Sequence, residues 1–313
     1  VDVLSDLLQR SRAKNAVVRQ LIQRPPWSIT LADQLPISAV ATLQGTVSIT
    51  QRGSTQTLRT GDIALIKGGL YTIADDPRTP NQVIIREGVK HFVGGTGQDA
   101  AARMISSRTF GAPCPGAIVM LHGIYDLHGS VGDRLLDMLP QMTVVPAGPR
   151  TRQPLEMLSA EAQRDEPGQH AVLNRLLELV LVIALRSWGA NADPQLPPWL
   201  AATADPAIGQ ALATLHADPR RRWTTATLAA TVGMSRAAFS ARFASLIGTP
   251  PMTYLTGWRM TLAADLLRDT NATIATVARE VGYDNAFAFS TAFKRIHGHS
   301  PTAWRRLPHQ PGP

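Results

Sequence analysis

The sequence is short of the residues that most site chemistry requires. One of its 313 residues is cysteine, Cys114, so neither an intramolecular disulfide nor a multi-cysteine metal centre can form. That usage suits a reducing compartment. Long apolar runs are missing: the most apolar stretch, LLELVLVIAL (176–185), is far shorter than a bilayer span and contains Glu178. The opening VDVLSDLLQRSRAK brings acids early and no sustained apolar segment, so no secretory signal, no membrane partner and a cytoplasmic location are expected. The eight histidines include a single HxH, His297–His299, and GGTG (94–97) lacks the strand-to-helix context of a dinucleotide loop. No catalytic Ser-His-Asp order, metal or cofactor is read from the chain, and it is not expected to be an enzyme.

Acidic charge is scarce in one third of the chain. From Ala207 to Pro313, twelve basic residues stand against five acids, which places +7 of the formal +8 there. Basic charge concentrated in one domain is the electrostatic footprint of a polyanion partner. The length suits two domains better than one core.

Residues 1–22, with Leu4, Leu7, Leu8 and Leu21 among charges, predict a short amphipathic helix. From about Trp27 to Pro149, short apolar stretches (ISAVATL, TVSIT, DIALI, YTIA, QVIIR, GAIVML) alternate with Gly-, Pro- and Asp-rich turns. That texture predicts an antiparallel sandwich or barrel. Residues 154–188 then turn helical, with a stripe of Leu173, Leu177, Val180, Ala184 and Trp188 widened by Leu176, Leu181 and Leu185. The stripe packs either on the barrel or on a second copy of the chain. Residues 191–206, rich in Pro and Ala, read as a linker.

The last third contains a repeat: AFSARF (238–243) returns as AFSTAF (288–293). Each copy follows a short helical segment and a glycine turn. Thr224 or Thr225 can cap the first copy and Thr273 the second; Gly233 and Gly282 make the turns, and Gly248 and Gly298 close the second helices. A short helix, a glycine turn and a second helix with inward aromatics is a helix-turn-helix. Between the copies, PMTYLTGWRMTLAADLLRD (251–269) places Leu255, Trp258, Leu262 and Leu266 on one face of a continuous helix, roughly 30 Å long. A spacer of that length can hold two recognition helices about one DNA turn, or 34 Å, apart.

The double helix-turn-helix, the pattern WRM..AA.LL (258–267) and the run AREVGYDNAFAFSTAFKR..G.SP resemble the DNA-binding domain of AraC/XylS-type transcription regulators, over residues 207–306. WSITLADQLP, LQGTVSI, TGDIALI and DDP are similar to the cupin-like sensor domain fused to one branch of that family. The expected architecture is multidomain α+β. A cupin-like antiparallel β-barrel with accessory helices occupies 1–190 (barrel about 27–150, helices about 154–188). The linker follows at 191–206, an all-α double helix-turn-helix domain at 207–306, and a flexible tail at 307–313. The resemblance implies a promoter-binding regulator, classed an activator, with double-stranded DNA as partner. A small effector in the barrel, a homodimer mate and, for an activator, RNA polymerase complete the partners weighed. Two alternatives stand beside it: a ligand-independent DNA binder whose barrel is a dimerisation scaffold, and a cupin-type enzyme with an accessory DNA domain.

Helical periodicity turns Phe239, Phe243 and Leu246 inward on the first recognition helix and Ala237, Ala241 and Ala244 outward, with Ser240 at the edge. On the second, Phe289, Phe293 and Ile296 face in, Phe287, Thr291 and Lys294 face out, and Ser290 and Arg295 flank them. Family members often carry arginine at the positions matching Ala241 and Thr291; this chain does not, so the commonest specific contact, arginine to guanine, is absent there. The expected DNA-binding set is Thr225, Arg236, Ala237, Ser240, Ala241, Arg242, Thr273, Asn285, Phe287, Ser290, Thr291, Lys294 and Arg295. Ala237 and Ala241 are assigned thymine methyls and groove shape, and Arg236 and Arg242 phosphates. Ser290, Thr291 and Lys294 are assigned base edges, and Phe287 either a methyl contact or packing on a neighbouring helix. Thr225, Thr273, Arg220–Arg222 and Arg295 complete the phosphate candidates. In the barrel, Val40 and Tyr71 stand where the family often has histidines, so no metal is expected. Trp27, Tyr71, Arg86 and His91 are candidate cavity-lining residues without an assigned ligand, and Cys114, between two prolines, is a candidate redox sensor.

Overall fold

Twelve strands form two six-stranded sheets in a computed structural model that describes residues 2–11, 14–33, 35–93, 104–190 and 196–307. The chain divides into two compact units. One holds the described residues of Ala13–Leu127 and Leu139–Asp193, and the other those of Val1–Arg12, His128–Met138 and Pro194–Gly312.

In the β-rich unit the strands are β1 (Lys14–Gln23), β2 (Ser28–Leu31), β3 (Ile37–Gln44), β4 (Thr46–Gln51), β5 (Ser54–Arg59) and β6 (Ile63–Lys67). They continue as β7 (Tyr71–Ala74), β8 (Val83–Arg86), β9 (Val89–Phe92), β10 (Thr109–Gly111), β11 (Ile118–Asp126) and β12 (Met142–Val145). One sheet runs β10-β1-β11-β3-β6-β12, the other β5-β4-β7-β2-β8-β9. Every apolar stretch read as a strand is one. Pairing is antiparallel except for β1–β10 and β2–β8, which are parallel. Alternation drives the closure: Val47, Ile49, Leu58, Ile66, Ile73 and Met120 meet in a core sealed from solvent.

Two expectations fail here. The helix predicted over 1–22 ends at Arg10, because Leu21 belongs to β1, which pairs along most of its length with β11. Val17, Val18 and Ile22 are β-branched and fit a pleated surface better than a helix. The strand-rich region also contains a helix, described below with the other unit.

The helical stretch after the strands is two helices, at Pro149–Ala162 and Gln169–Gly189, separated by a turn ending at Gly168 in the left-handed region. The stripe Leu173, Leu177, Val180, Ala184 and Trp188 is buried within this one unit. The Tyr125 hydroxyl on β11 donates to the Leu177 carbonyl at 2.9 Å, tying helix to sheet. Packing on the sheet therefore accounts for the stripe.

In the helical unit the elements are α1 (Val3–Arg10) and α2 (Gly129–Asp137), followed, after the α3 (Pro149–Ala162) and α4 (Gln169–Gly189) of the β-rich unit, by α5 (Pro198–Thr203) and α6 (Pro206–Ala217). Then come α7 (Thr225–Thr231), α8 (Arg236–Ile247), α9 (Pro251–Asp269), α10 (Ile274–Glu280), α11 (Ala286–His297) and α12 (Pro301–Arg306). Within the expected linker, 191–195 lie outside the described residues, while α5 buries Trp199 and Leu200. GGTG (94–97) and residues 308–313 of the expected tail also lie outside the described residues.

Helices α1 and α2 pack with α6 and α9. Asp265 of α9 accepts from the Ser130 and Val131 amides at 2.5 and 3.3 Å, capping α2 with a side chain from far along the sequence. Burial pushes the Asp265 carboxyl up, partly offset by those amides. Arg134 of α2 lies over the Tyr254 and Trp258 rings at 5.5 and 5.8 Å. Asp6 of α1 accepts from His216 Nδ1 at 2.8 Å, and His216 Nε2 shares a 2.8 Å hydrogen bond with the Tyr254 hydroxyl. Burial pulls the His216 pKa down, and Asp6 opposes that pull.

Candidate nucleic-acid interface

The two copies of the repeat fold alike. In the first, α7 is capped by Thr224, whose hydroxyl accepts from the Thr227 amide at 3.1 Å while the Thr224 amide donates to the Thr227 hydroxyl oxygen at 2.9 Å. Of the two expected candidates Thr224 is the cap; Thr225 is the first helical residue and half-buried, because the Thr224–Thr227 spacing closes the capping box. In the second copy Thr273 caps α10, accepting from the Thr276 amide at 3.1 Å. The turns match too: Met234 N–H donates to Ala229 O at 3.0 Å, and Tyr283 N–H to Ala278 O at 2.8 Å. Gly233 and Gly282 sit at φ +68° and +80°, where a Cβ is disfavoured. The one-residue slip in repeat spacing is the longer second turn, 281–285 against 232–235.

Ser235 opens α8, accepting from the Ala238 amide at 3.2 Å, and Asn285 opens α11, accepting from the Phe287 amide at 2.7 Å. Both helices close on a left-handed glycine, Gly248 or Gly298. Each buries one aromatic pair, Phe239–Phe243 and Phe289–Phe293, with ring centroids 5.7 Å apart in both. Phe243 meets Tyr254 and Phe293 meets Trp304, each at 5.8 Å. Ile296, expected to face inward, is 43% exposed, and Leu246 is half-buried, because two phenylalanines already fill each contact. The spacer is α9, with the predicted bounds; its 19 residues span roughly 28 Å. It is buried on most of its circumference, with Leu267 rather than Leu266 in the core.

The outward faces differ. On α8, Arg236, Ala237 and Ala241 are exposed and Ser240 is half-buried. Arg242 points to Asp205, the residue capping α6, through Nε and Nη2 at 2.8 and 2.5 Å. Its guanidinium is therefore held by a carboxylate, a pairing sequence periodicity could not show. On α11, Phe287 is 80% exposed, beside exposed Thr291, Lys294 and Arg295 and half-buried Ser290. The hydroxyls of Ser290 and Thr291 donate to the carbonyls one turn back, at 2.7 and 3.0 Å, leaving their lone pairs as acceptors. Among the described residues, no acid pairs with Arg236, Lys294 or Arg295. The arginine run is engaged: Arg220 with Glu280, Arg222 with Asp284, and Arg221 stacked over Trp223 at 4.2 Å. His297 of the HxH is half-buried against Phe293 and Trp304 and hydrogen-bonds the Met260 carbonyl at 3.2 Å.

The β-rich unit encloses a cavity of about 280 Å³, lined from both sheets. Of the four candidate lining residues, none lines it: Trp27 and Tyr71 are core, and Arg86 and His91 are exposed on β8 and β9. Its lining instead takes Arg19, Leu21 and Gln23 from one face of β1, and His122 from β11 opposite Arg19. The i, i+2 alternation of those three residues is the signal in the sequence that would have found them. Tyr71 hydroxyl and His122 Nε2 share a 2.7 Å hydrogen bond, and burial, then Arg19, pull the His122 pKa down to about 4. No group of three or more metal-ligating side chains occurs among the described residues. Cys114 is half-buried in a turn that its carbonyl closes by accepting from the Ala117 amide at 3.1 Å.

Two helix-turn-helix motifs joined by a rigid helix in one chain define a DNA-binding regulator of the bipartite kind. Residues 2–190 match the family model described as cupin, and residues 228–307 the one described as helix-turn-helix domain. A putative AraC-like transcription regulator of Streptomyces lividans is 30% identical over 318 residues, covering 99% of this chain and 100% of the relative. The HTH-type transcriptional regulator AlkR of Acinetobacter baylyi is also 30% identical, over 98% of this chain and 99% of its own. The DNA-binding domain of AdpA, solved in complex with a target DNA, is 33% identical over 32% of this chain and 90% of that one, with a TM-score of 0.31. The chain belongs to the AraC-like transcription regulators that carry an N-terminal cupin domain. It is a DNA-binding transcription regulator. No helix among the described residues is long and apolar enough to cross a membrane.

Proposed function

We propose that α8 and α11 read successive major-groove faces of one promoter site, and that a small effector in the barrel cavity controls this binding. The observation that carries the reading is the α11 surface, where Phe287 stands 80% exposed between side chains that can bond bases and phosphates. An exposed ring beside hydroxyls and cations suits a groove contact, since apolar contact with the thymine methyl is one of the standard side-chain pairings. Phe287, Ser290 and Thr291 take the base edges, with thymine methyls against the ring and amino donors onto the two hydroxyls. Ala237 and Ala241 meet methyls and groove shape, with Ser240 at the margin. Arg236, Lys294 and Arg295 take phosphates, joined by the helix starts at Thr225, Thr273 and Asn285. Arg242 positions α8 through Asp205 and adds phosphate affinity only if that pair opens.

The cavity favours effector control over a ligand-free scaffold, because a scaffold has no need of a lined space. The protein acts in the cytoplasm, without enzymatic activity, as an activator that meets RNA polymerase at its promoter. The test is binding of the whole protein to DNA from upstream of its own gene, titrated against salt with unrelated DNA as competitor. A preference of at least ~10³ for one segment, with steep salt dependence, is expected. Equal affinity for both DNAs would refute specific promoter binding.

A further inference from the structure

The two recognition helices can be compared position for position. Each has 12 residues, buries its aromatic pair at the same steps and closes on a left-handed glycine. Ala237 therefore corresponds to Phe287, Ser240 to Ser290, Ala241 to Thr291 and Ala244 to Lys294. A recognition helix meets base edges through its N-terminal residues, so the first three pairs decide what each half of the site reads. At two of them α8 offers a methyl group where α11 offers an aromatic ring and a hydroxyl. The third is serine, half-buried in both helices.

An alanine discriminates between bases only through contact with a thymine methyl, without a hydrogen bond. Arg242 adds little base readout to α8, because Asp205 holds its guanidinium. Arg236, exposed in the first turn, lends α8 phosphate affinity that carries no sequence. On α11 the chemistry is narrower. Ser290 donates its hydroxyl hydrogen to the Ala286 carbonyl at 2.7 Å, and Thr291 donates to the Phe287 carbonyl at 3.0 Å. Both therefore present lone pairs to the groove, which suit the amino groups of adenine or cytosine and oppose the acceptors of guanine. Phe287 lies one turn before Thr291 on the same face, and its ring suits a thymine methyl. An A·T pair carries both features, an amino donor and a methyl group; a G·C pair carries guanine acceptors and no methyl.

We propose that the second helix-turn-helix sets the sequence: α11 selects an A·T half-site, while α8 seats on a half-site of relaxed sequence. The proposal deepens, and rests on, the reading of α8 and α11 as the two groove-reading helices.

The experiment selects sites for the full chain from a duplex library randomised over about 24 base pairs, a little more than two DNA turns. Enriched sites are expected to hold two segments about one turn apart, one of them strongly specified and A·T-rich. Single base-pair changes there should weaken binding about tenfold or more, and in the other segment about threefold or less. Base analogues then address single groups. Deoxyuridine for thymine removes only the methyl group; it should cost about fourfold in the parent protein and nothing in Phe287→Ala. Purine for adenine removes the amino group and should cost about fivefold in the parent, with the penalty reduced in Thr291→Val. Adenine lacking N7 keeps the amino group and should bind as adenine does. Ala241→Arg should install a guanine preference of about fivefold or more in the relaxed segment.

Equal constraint in both segments would overturn the proposal, as would a guanine preference in the relaxed segment that Arg236→Gln abolishes. A deoxyuridine penalty that survives Phe287→Ala, or a purine penalty unchanged in Thr291→Val, would overturn the assignment of A·T readout to α11. Failure of the underlying reading looks different: selection would then enrich no sequence at all, and this proposal would fall with it.

Discussion

Phe287 and Phe289 are two residues apart on one helix, yet one is 80% exposed and the other wholly buried. The contrast makes the exposed ring a clean probe. Phe287→Ala should change folding stability by no more than about 0.5 kcal/mol, as surface substitutions do, and weaken binding to the preferred DNA by about 1 kcal/mol or more. Unchanged DNA affinity, measured by titration, would place the ring outside the contact. Ala241→Glu should weaken DNA binding by tenfold or more, or about 1.4 kcal/mol, by setting a carboxylate against phosphates. At the opposite extreme of burial, His122 keeps a pKa of about 4 against 6.5 in an unfolded chain. Above about pH 6.5 both states are neutral and stability is full. As pH falls from there toward 4 the unfolded chain binds the proton first, and about 3 kcal/mol is progressively lost. His216, also pulled down by burial, acts in the same direction. Unfolding midpoints measured from pH 7 to 4.5 should fall, and His122→Gln should flatten part of that slope.

Among elements, the repeat supplies an internal control. Gly233 has open space around it, whereas a Cβ on Gly282 would stand 2.5 Å from the Arg220 carbonyl oxygen. Gly233→Ala should therefore cost only the left-handed penalty, about 1–2 kcal/mol, and Gly282→Ala clearly more, read as separate denaturation midpoints. Equal losses would show that the second turn shifts to make room. The sequence was most legible in this repeat, since its caps, glycine turns and aromatic pairs are local signals that return with fixed spacing. It was least legible where a partner is far away in the chain. Asp205 holding Arg242, and Asp265 capping α2, span 37 and 135 residues. β1 was misread because leucine spacing at 4, 7 and 8 extends plausibly to Leu21, and with it went the cavity wall that Arg19, Leu21 and Gln23 build. Of the two adjacent threonines offered as the first cap, the structure uses Thr224.

At the scale of the whole chain, the helical unit is drawn from the described residues of three separate segments, Val1–Arg12, His128–Met138 and Pro194–Gly312. A fragment starting at Pro194 would lack α1 and α2. It would leave His216 without Asp6, and Trp258 and Tyr254 without Arg134. Losing even two buried aliphatic contacts amounts to about 3 kcal/mol or more. Scanning calorimetry should therefore find the fragment melting below the corresponding transition of the full chain. Coincident midpoints would show that the first two segments contribute nothing to that unit's stability.

The covalent order of the two recognition helices has a last consequence. A pair of identical subunits reads a palindrome and has no front or back on DNA. Here α9 fixes an alanine-faced helix before a phenylalanine-bearing one. If both helices read DNA as proposed, the site has a polarity, so turning the operator end for end, base composition and position unchanged, should reverse the heading of the bound protein relative to the transcribed gene.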